Sequence, residues 1–138
     1  MIAIIRIVGM IDVPKDVKET LTRLRLRRKY SCVVISENKV NLGMLAKVRD
    51  YVAYGEIKLE VLEQLIEKRG QIIDRKKIDS KKTAAEIAKG KKLSEVGLKP
   101  FFRLHPARGG LKSTKKHFPK GDLGDRKEKI NDLILRML

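Results

Sequence analysis

Met1-Ile-Ala-Ile-Ile-Arg-Ile-Val8 is the stretch on which the fold turns. It is rich in Ile and Val, Arg6 alone interrupts it, and Gly9 ends it. With an apolar residue at almost every position, little is left for a solvent face. The stretch therefore reads as a central strand, covered on both sides.

The residues that follow supply the cover. Pro14 suits the first turn of a helix, where its missing N–H costs nothing. That helix is expected to run to about Leu26, with Val17, Leu21 and Leu24 on one face. Cys32–Ile35 reads as a second buried strand, and Asn38-Lys39 as a turn. Asn41 can cap a second helix carrying Leu42, Leu45 and Val48. Tyr51–Ile57 alternates and makes a third short strand. Residues 1–57 thus form a strand–helix–strand–helix–strand unit of the α+β class.

Residues 58–138 read as an extension packed with that core into a single compact unit. Lys58–Arg69 is helical, with Gly70 as its stop. Gln71–Ile73 is a short extended piece, and Asp74–Lys82, with five Lys or Arg, is a mobile or RNA-facing connection. Thr83 and Glu86 form a capping box for a short helix ended by Gly90. Leu98–Leu104 is strand-like. A last helix follows Asp125 as N-cap and Glu128 three residues on, with Ile130, Leu133, Ile134 and Met137 as its apolar stripe.

The chain of 138 residues carries 33 Lys or Arg against 17 Asp or Glu, a formal charge of +16. The excess is spread along the chain, at +5 over residues 1–57, +5 over 58–100 and +6 over 101–138. Self-repulsion of this size is relieved by a polyanion, and the usual one is nucleic acid. No stretch approaches the roughly 18 apolar residues of a membrane span. The N-terminal apolar run is too short for an export leader. Cys32 is the lone cysteine, so there is no disulfide framework and no CxxC pair; it reads as a small core hydrophobe.

The cations concentrate in two segments. Arg103–Lys120 holds six Lys or Arg, both histidines and no Asp or Glu. Pro106, Pro119 and Gly109-Gly110 bar a regular element from running through it. Such a segment wants partners from outside the chain. Arg108-Gly109-Gly110 can take positive φ and let a sugar-phosphate backbone come close. The RNA-facing set here is Arg103, His105, Arg108, Gly109, Gly110, Lys112, Lys115, Lys116, His117 and Lys120. The second segment is Arg25, Arg27, Arg28 and Lys29 with Tyr30 alongside. It reads equally as a solvated helix end, where cations suit the dipole, or as a phosphate contact.

His105 and His117 are the alternative chemistry, a general acid–base pair of an RNA-cleaving enzyme. No carboxylate lies near either in sequence to orient it. GxxxxGK[ST], GxGxxG after a strand and HExxH are all absent, and two histidines with one cysteine make no zinc site. No catalytic residue, metal, cofactor or small-molecule substrate is therefore expected. The aromatic residues are few, so phosphate contacts should outweigh base stacking and favour a folded RNA recognised by shape.

Leu24–Val33, Met44–Gly55, Lys99–Gly110 and Glu128–Leu138 together resemble the archaeal large-subunit ribosomal protein L-thirty family, whose eukaryotic counterpart is L-seven. The likeness spans nearly the whole chain; the Ala107-Arg-Gly-Gly turn and the Lys129-Ile-Asn-Asp-Leu helix carry it most specifically. The short bacterial form resembles residues 1 to about 57 only. The resemblance implies a βαβαβ core with a three-stranded, ferredoxin-like sheet. It also implies binding to large-subunit RNA near the 5S RNA, beside other ribosomal proteins in the cytoplasm, with no enzymatic activity. Ala107 stands where the family leads one to expect a second proline, and residues 71–97 look shorter than usual. A non-ribosomal RNA-binding module and an RNA-processing enzyme using His105 and His117 are the competing readings.

Overall fold

The computed structural model describes residues 1–73 and 75–138. Strand β1 (Ile2–Arg6) lies in the middle of the sheet, flanked antiparallel by β2 (Ser31–Ile35) and β3 (Val52–Glu56). Two edge strands of two residues each, β4 (Phe102–Arg103) beside β2 and β5 (Gly124–Asp125) beside β3, complete the order β4-β2-β1-β3-β5. The three strands expected for residues 1–57 are present. The sheet nevertheless has five strands, because the extension returns to both edges and pairs with backbone groups left open there.

Alternation along β1 divides the core in two. Ile2 and Ile4 point to one face, against Val17, Leu21, Leu45 and Val48 of α1 (Lys15–Arg23) and α2 (Lys39–Val48). Ala3, Ile5 and Ile7 point to the other, against α3 (Leu59–Arg69), α4 (Ser80–Ala88) and α5 (Ile130–Met137). Both faces of the sheet are covered by helices, and this is why β1 shows no polar alternation. The α5 stripe Ile130, Leu133, Ile134 and Met137 is fully buried. Burial of each such side chain contributes roughly 1.5–3 kcal/mol, enough to dock a helix too short to stand alone.

Several boundaries differ from those expected. Helix α1 ends at Arg23, because Arg25 takes a left-handed φ of 63° and closes the helix. Helix α2 starts earlier than Asn41: the Asn38 side chain accepts the Asn41 N–H at 2.8 Å, so Asn38 is the cap. Helix α4 begins at Ser80 under an Asp79 cap that accepts the Lys81 N–H, which takes residues 80–82 out of the basic connection and leaves Thr83 inside the helix. Asp74 of that connection lies outside the described residues. A 3-10 turn at Leu93–Val96 was not foreseen. Asp125 ends β5 and accepts the Lys127 N–H at 2.8 Å, so a 3-10 turn at Lys127–Lys129 precedes α5. Glu128 faces Lys58 at 4.0 Å instead of closing a capping box.

Among the described residues, no helix is long and apolar enough to cross a membrane, and no cluster of His, Cys, Asp or Glu could hold a metal ion.

Candidate nucleic-acid interface

The connection from α1 to β2 is rigidly shaped. The Leu26 N–H donates to the Leu21 carbonyl at 2.8 Å and the Arg25 N–H to Thr22 at 3.0 Å. This is a Schellman closure, with Arg25 at the left-handed position that usually holds glycine. Tyr30, also at φ 63°, closes the other end of the connection. Its N–H donates to the Arg6 carbonyl at 2.7 Å, and its own carbonyl accepts the Leu104 N–H at 3.0 Å.

Arg6 holds this connection from behind. Its side chain is only 3% exposed, and it donates to the carbonyls of Leu26 at 2.7 Å, Arg27 at 3.0 Å, Val8 at 3.1 Å and Gly9 at 3.1 Å. Burial pushes its pKa down from the usual guanidinium value. Four carbonyl dipoles, with no carboxylate, stabilise the charge.

Edge strand β4 then brings the far segment to the same place. Ser31 pairs with Arg103 and Cys32 with Phe102, so Phe101 and Arg103 share the face of the sheet that α1 covers. The result is a cleft of about 260 Å³ lined by Arg25, Arg27, Arg28, Ser31, Phe101 and Arg103. The Arg103 guanidinium lies 5.6 Å from the centre of the Phe101 ring. Of the expected residues, Arg25, Arg27, Arg28 and Arg103 meet here, although 75 or more positions separate Arg103 from the others. Lys29 points elsewhere, its Nζ 5.0 Å from the Tyr30 ring centre.

The remainder of Arg103–Lys120 is held in two other places. The N–H groups of His105 and Arg108 donate to the carbonyls of Met137 and Arg136 at 2.9 and 3.0 Å, laying 105–110 on the end of α5. Gly109 and Gly110 have φ of 77° and 76°, the left-handed turn expected of them. Arg136 donates to the Gly110 carbonyl at 3.2 Å. Lys112–Lys120 forms a closed loop. Ser113 and Asp122 exchange N–H bonds, and Asp122 pairs with Arg126 at 2.7 Å, with both side chains buried. His117 Nε2 meets Asp50 Oδ1 at 2.7 Å, a carboxylate 67 positions away that no local reading could find. The segment thus has protein partners for its backbone and for His117, contrary to the expectation that only an outside molecule would supply them. Lys112, Lys115, Lys116 and Lys120 remain exposed around the loop.

A larger groove, about 840 Å³, crosses α2, β3 and residues 125–129. Its lining mixes Glu37, Glu56, Asp125 and Glu128 with Arg126, Lys127 and Lys129, so it offers a polyanion no consistent field. Size favours this groove, but charge favours the arginine cleft. Charge is the better guide to a phosphate partner.

Ser31, Phe101 and Arg6 were missed as site residues. Period-two alternation from Phe101 to Arg103, with Phe102 opposed, was the available signal for Phe101. The one charge in an apolar strand was the signal for Arg6.

Residues 2–52 match the family described as Ribosomal protein L30p/L7e. Over 99% of its length the chain is 43% identical to large ribosomal subunit protein uL30 of Archaeoglobus fulgidus, covering 99% of that protein. It is 41% identical to the uL30 of Aeropyrum pernix and 42% to that of Nanoarchaeum equitans, covering 98% and 97% of them. The chain belongs to the uL30 family. uL30 membership carries a structural role in the cytoplasmic ribosome and no enzymatic one. The family match covers β1, α1, β2 and α2 and stops at Val52, the first residue of β3. It includes Arg25, Arg27, Arg28 and Ser31 of the arginine cleft, while Phe101 and Arg103 lie outside it.

Proposed function

We propose that this protein is a structural constituent of the large ribosomal subunit that holds 23S RNA near the 5S RNA through phosphate contacts. The observation that carries the reading is the arginine cleft, where four guanidiniums converge on a lining without a carboxylate. Lys29, Tyr30, His105, Arg108, Gly109, Gly110, Lys112, Lys115, Lys116, His117 and Lys120 complete the proposed RNA-facing set, spread beyond the cleft along the α1–β2 connection, the α5 end and the 112–120 loop. Neighbouring ribosomal proteins are the further partners. Proximity to the 5S RNA rests on the family resemblance.

Filter binding to large-subunit RNA across a salt series tests the reading. Replacing Arg25, Arg27, Arg28 and Arg103 by Ala should flatten the salt slope by about one unit per lost phosphate contact, as counterion release requires. The set Arg103, Arg108, Lys112, Lys115 and Lys116→Ala should act in the same way. An unchanged slope in both sets would overturn the assignment.

A further inference from the structure

We propose that the arginine cleft receives one extruded nucleotide of the bound RNA, with its base laid on Phe101 and its phosphates held by the surrounding arginines. This deepens the RNA reading above and rests on it.

Three observations point to an entering group in place of a duplex backbone lying across the surface. First, the site is a recess of about 260 Å³, close to the roughly 300 Å³ lower bound of small-ligand sites. A regular A-form backbone touches convex surface cations and has nothing to fill a recess. A nucleotide turned out of its helix does.

Second, one wall is aromatic. Phe101 is half-buried, and Arg103 lies over its ring at 5.6 Å. A ring face beside a guanidinium plane is the pair on which an unpaired RNA base stacks. A base sliding between them replaces the contact with Arg103 by one on each side, and only the exposed Arg103 side chain has to swing. Ser31 adds a hydroxyl on the same wall, able to bond a base edge.

Third, the recess is preformed. Arg25 and Tyr30 hold sparsely populated left-handed conformations, and Arg6 clamps the carbonyls of Leu26 and Arg27 between them. Strain of this kind persists where surrounding structure imposes it, and it clusters at binding sites. Arg25, Arg27, Arg28 and Arg103 form no ion pair with any described residue, so their charge is free for phosphate.

The probe is an RNA hairpin with one unpaired 2-aminopurine, compared with the fully paired hairpin and with an abasic bulge, each titrated with the full chain. The bulged hairpin should bind roughly tenfold tighter than the other two, the size of one base–aromatic stack, and its fluorescence should be quenched. Phe101→Leu should collapse the difference between hairpins. Phe101→Trp places a single tryptophan in a chain that has none. Its emission should be quenched by the bulged hairpin and not by the paired one, a readout that stands even if the leucine variant folds poorly. Equal affinity for all three hairpins, still lowered by replacing the four arginines, would overturn the nucleotide proposal and leave phosphate binding standing. If the four-arginine variant binds every hairpin like the unaltered chain, the cleft is not an RNA site and the nucleotide proposal falls. The RNA reading itself falls if the Arg103, Arg108, Lys112, Lys115 and Lys116→Ala set also binds unchanged.

Discussion

Replacing Arg6 by methionine should loosen the arginine cleft without touching any residue that lines it. Methionine keeps much of the volume and removes four hydrogen bonds. The bond to Leu26 is fully buried, and those to Arg27, Val8 and Gly9 are partly so. One buried orphaned carbonyl costs about 1–3 kcal/mol, and three that can recover water cost about 0.5 kcal/mol each. Removing an unpaired buried charge gives part of this back, since burial already disfavours the charged form. The net loss is therefore about 2–3 kcal/mol, read as the midpoint shift in urea unfolding at constant slope. Because two of the four carbonyls belong to the α1–β2 connection, amide exchange at Leu26 and Tyr30 should accelerate more than at Ile4 or Ala53. RNA affinity should fall with it. Arg6→Lys should lie between, since an ammonium cannot span four acceptors. A methionine variant within about 0.5 kcal/mol of the unaltered chain, with exchange at Leu26 and Tyr30 unmoved, would refute this account of the clamp.

Three further outcomes are expected. Arg25→Gly should raise stability by about 0.5–1 kcal/mol in urea unfolding, because glycine takes the φ of 63° without strain, while RNA affinity and the salt slope fall. Burial pushes the Cys32 thiol up to about 12 from 9.0, so the folded state favours the protonated form. That contribution is complete below pH 9 and is lost as pH rises towards 12, by about 1 kcal/mol at pH 10; Cys32→Ala should remove this part of the alkaline decline. A chain cut after Ile57 tests the division we propose between core and extension. It loses Leu62, Leu65, Ile130 and Leu133 from one face of the sheet, and by circular dichroism and dye binding it should show secondary structure with exposed apolar surface.

The legible parts of the molecule were those set by neighbours in sequence. Ile2 to Ile7 announced a strand covered twice, and the α5 stripe announced which side of that helix is buried. Gly109-Gly110 announced a left-handed turn. Boundaries went wrong where two local solutions compete. Asn38 and Asn41 can each cap, and Asn38 wins because its side chain reaches the Asn41 N–H. Thr83-Glu86 has the letters of a capping box, but Asp79 already closes a longer helix. Nothing local marks Arg25 as left-handed, since glycine is the residue that usually signals it.

Composition and periodicity by themselves determined a basic α+β protein with a doubly covered central strand, because charge and apolar spacing are properties of the string. Only the tertiary structure decided which cations act together. Arg103 joins Arg25, Arg27 and Arg28 because β4 pairs with β2, whereas His117 goes to Asp50 and Lys112–Lys120 closes on itself. Pairing across a sheet edge depends on where distant backbone groups are left open, and no window of sequence contains that information.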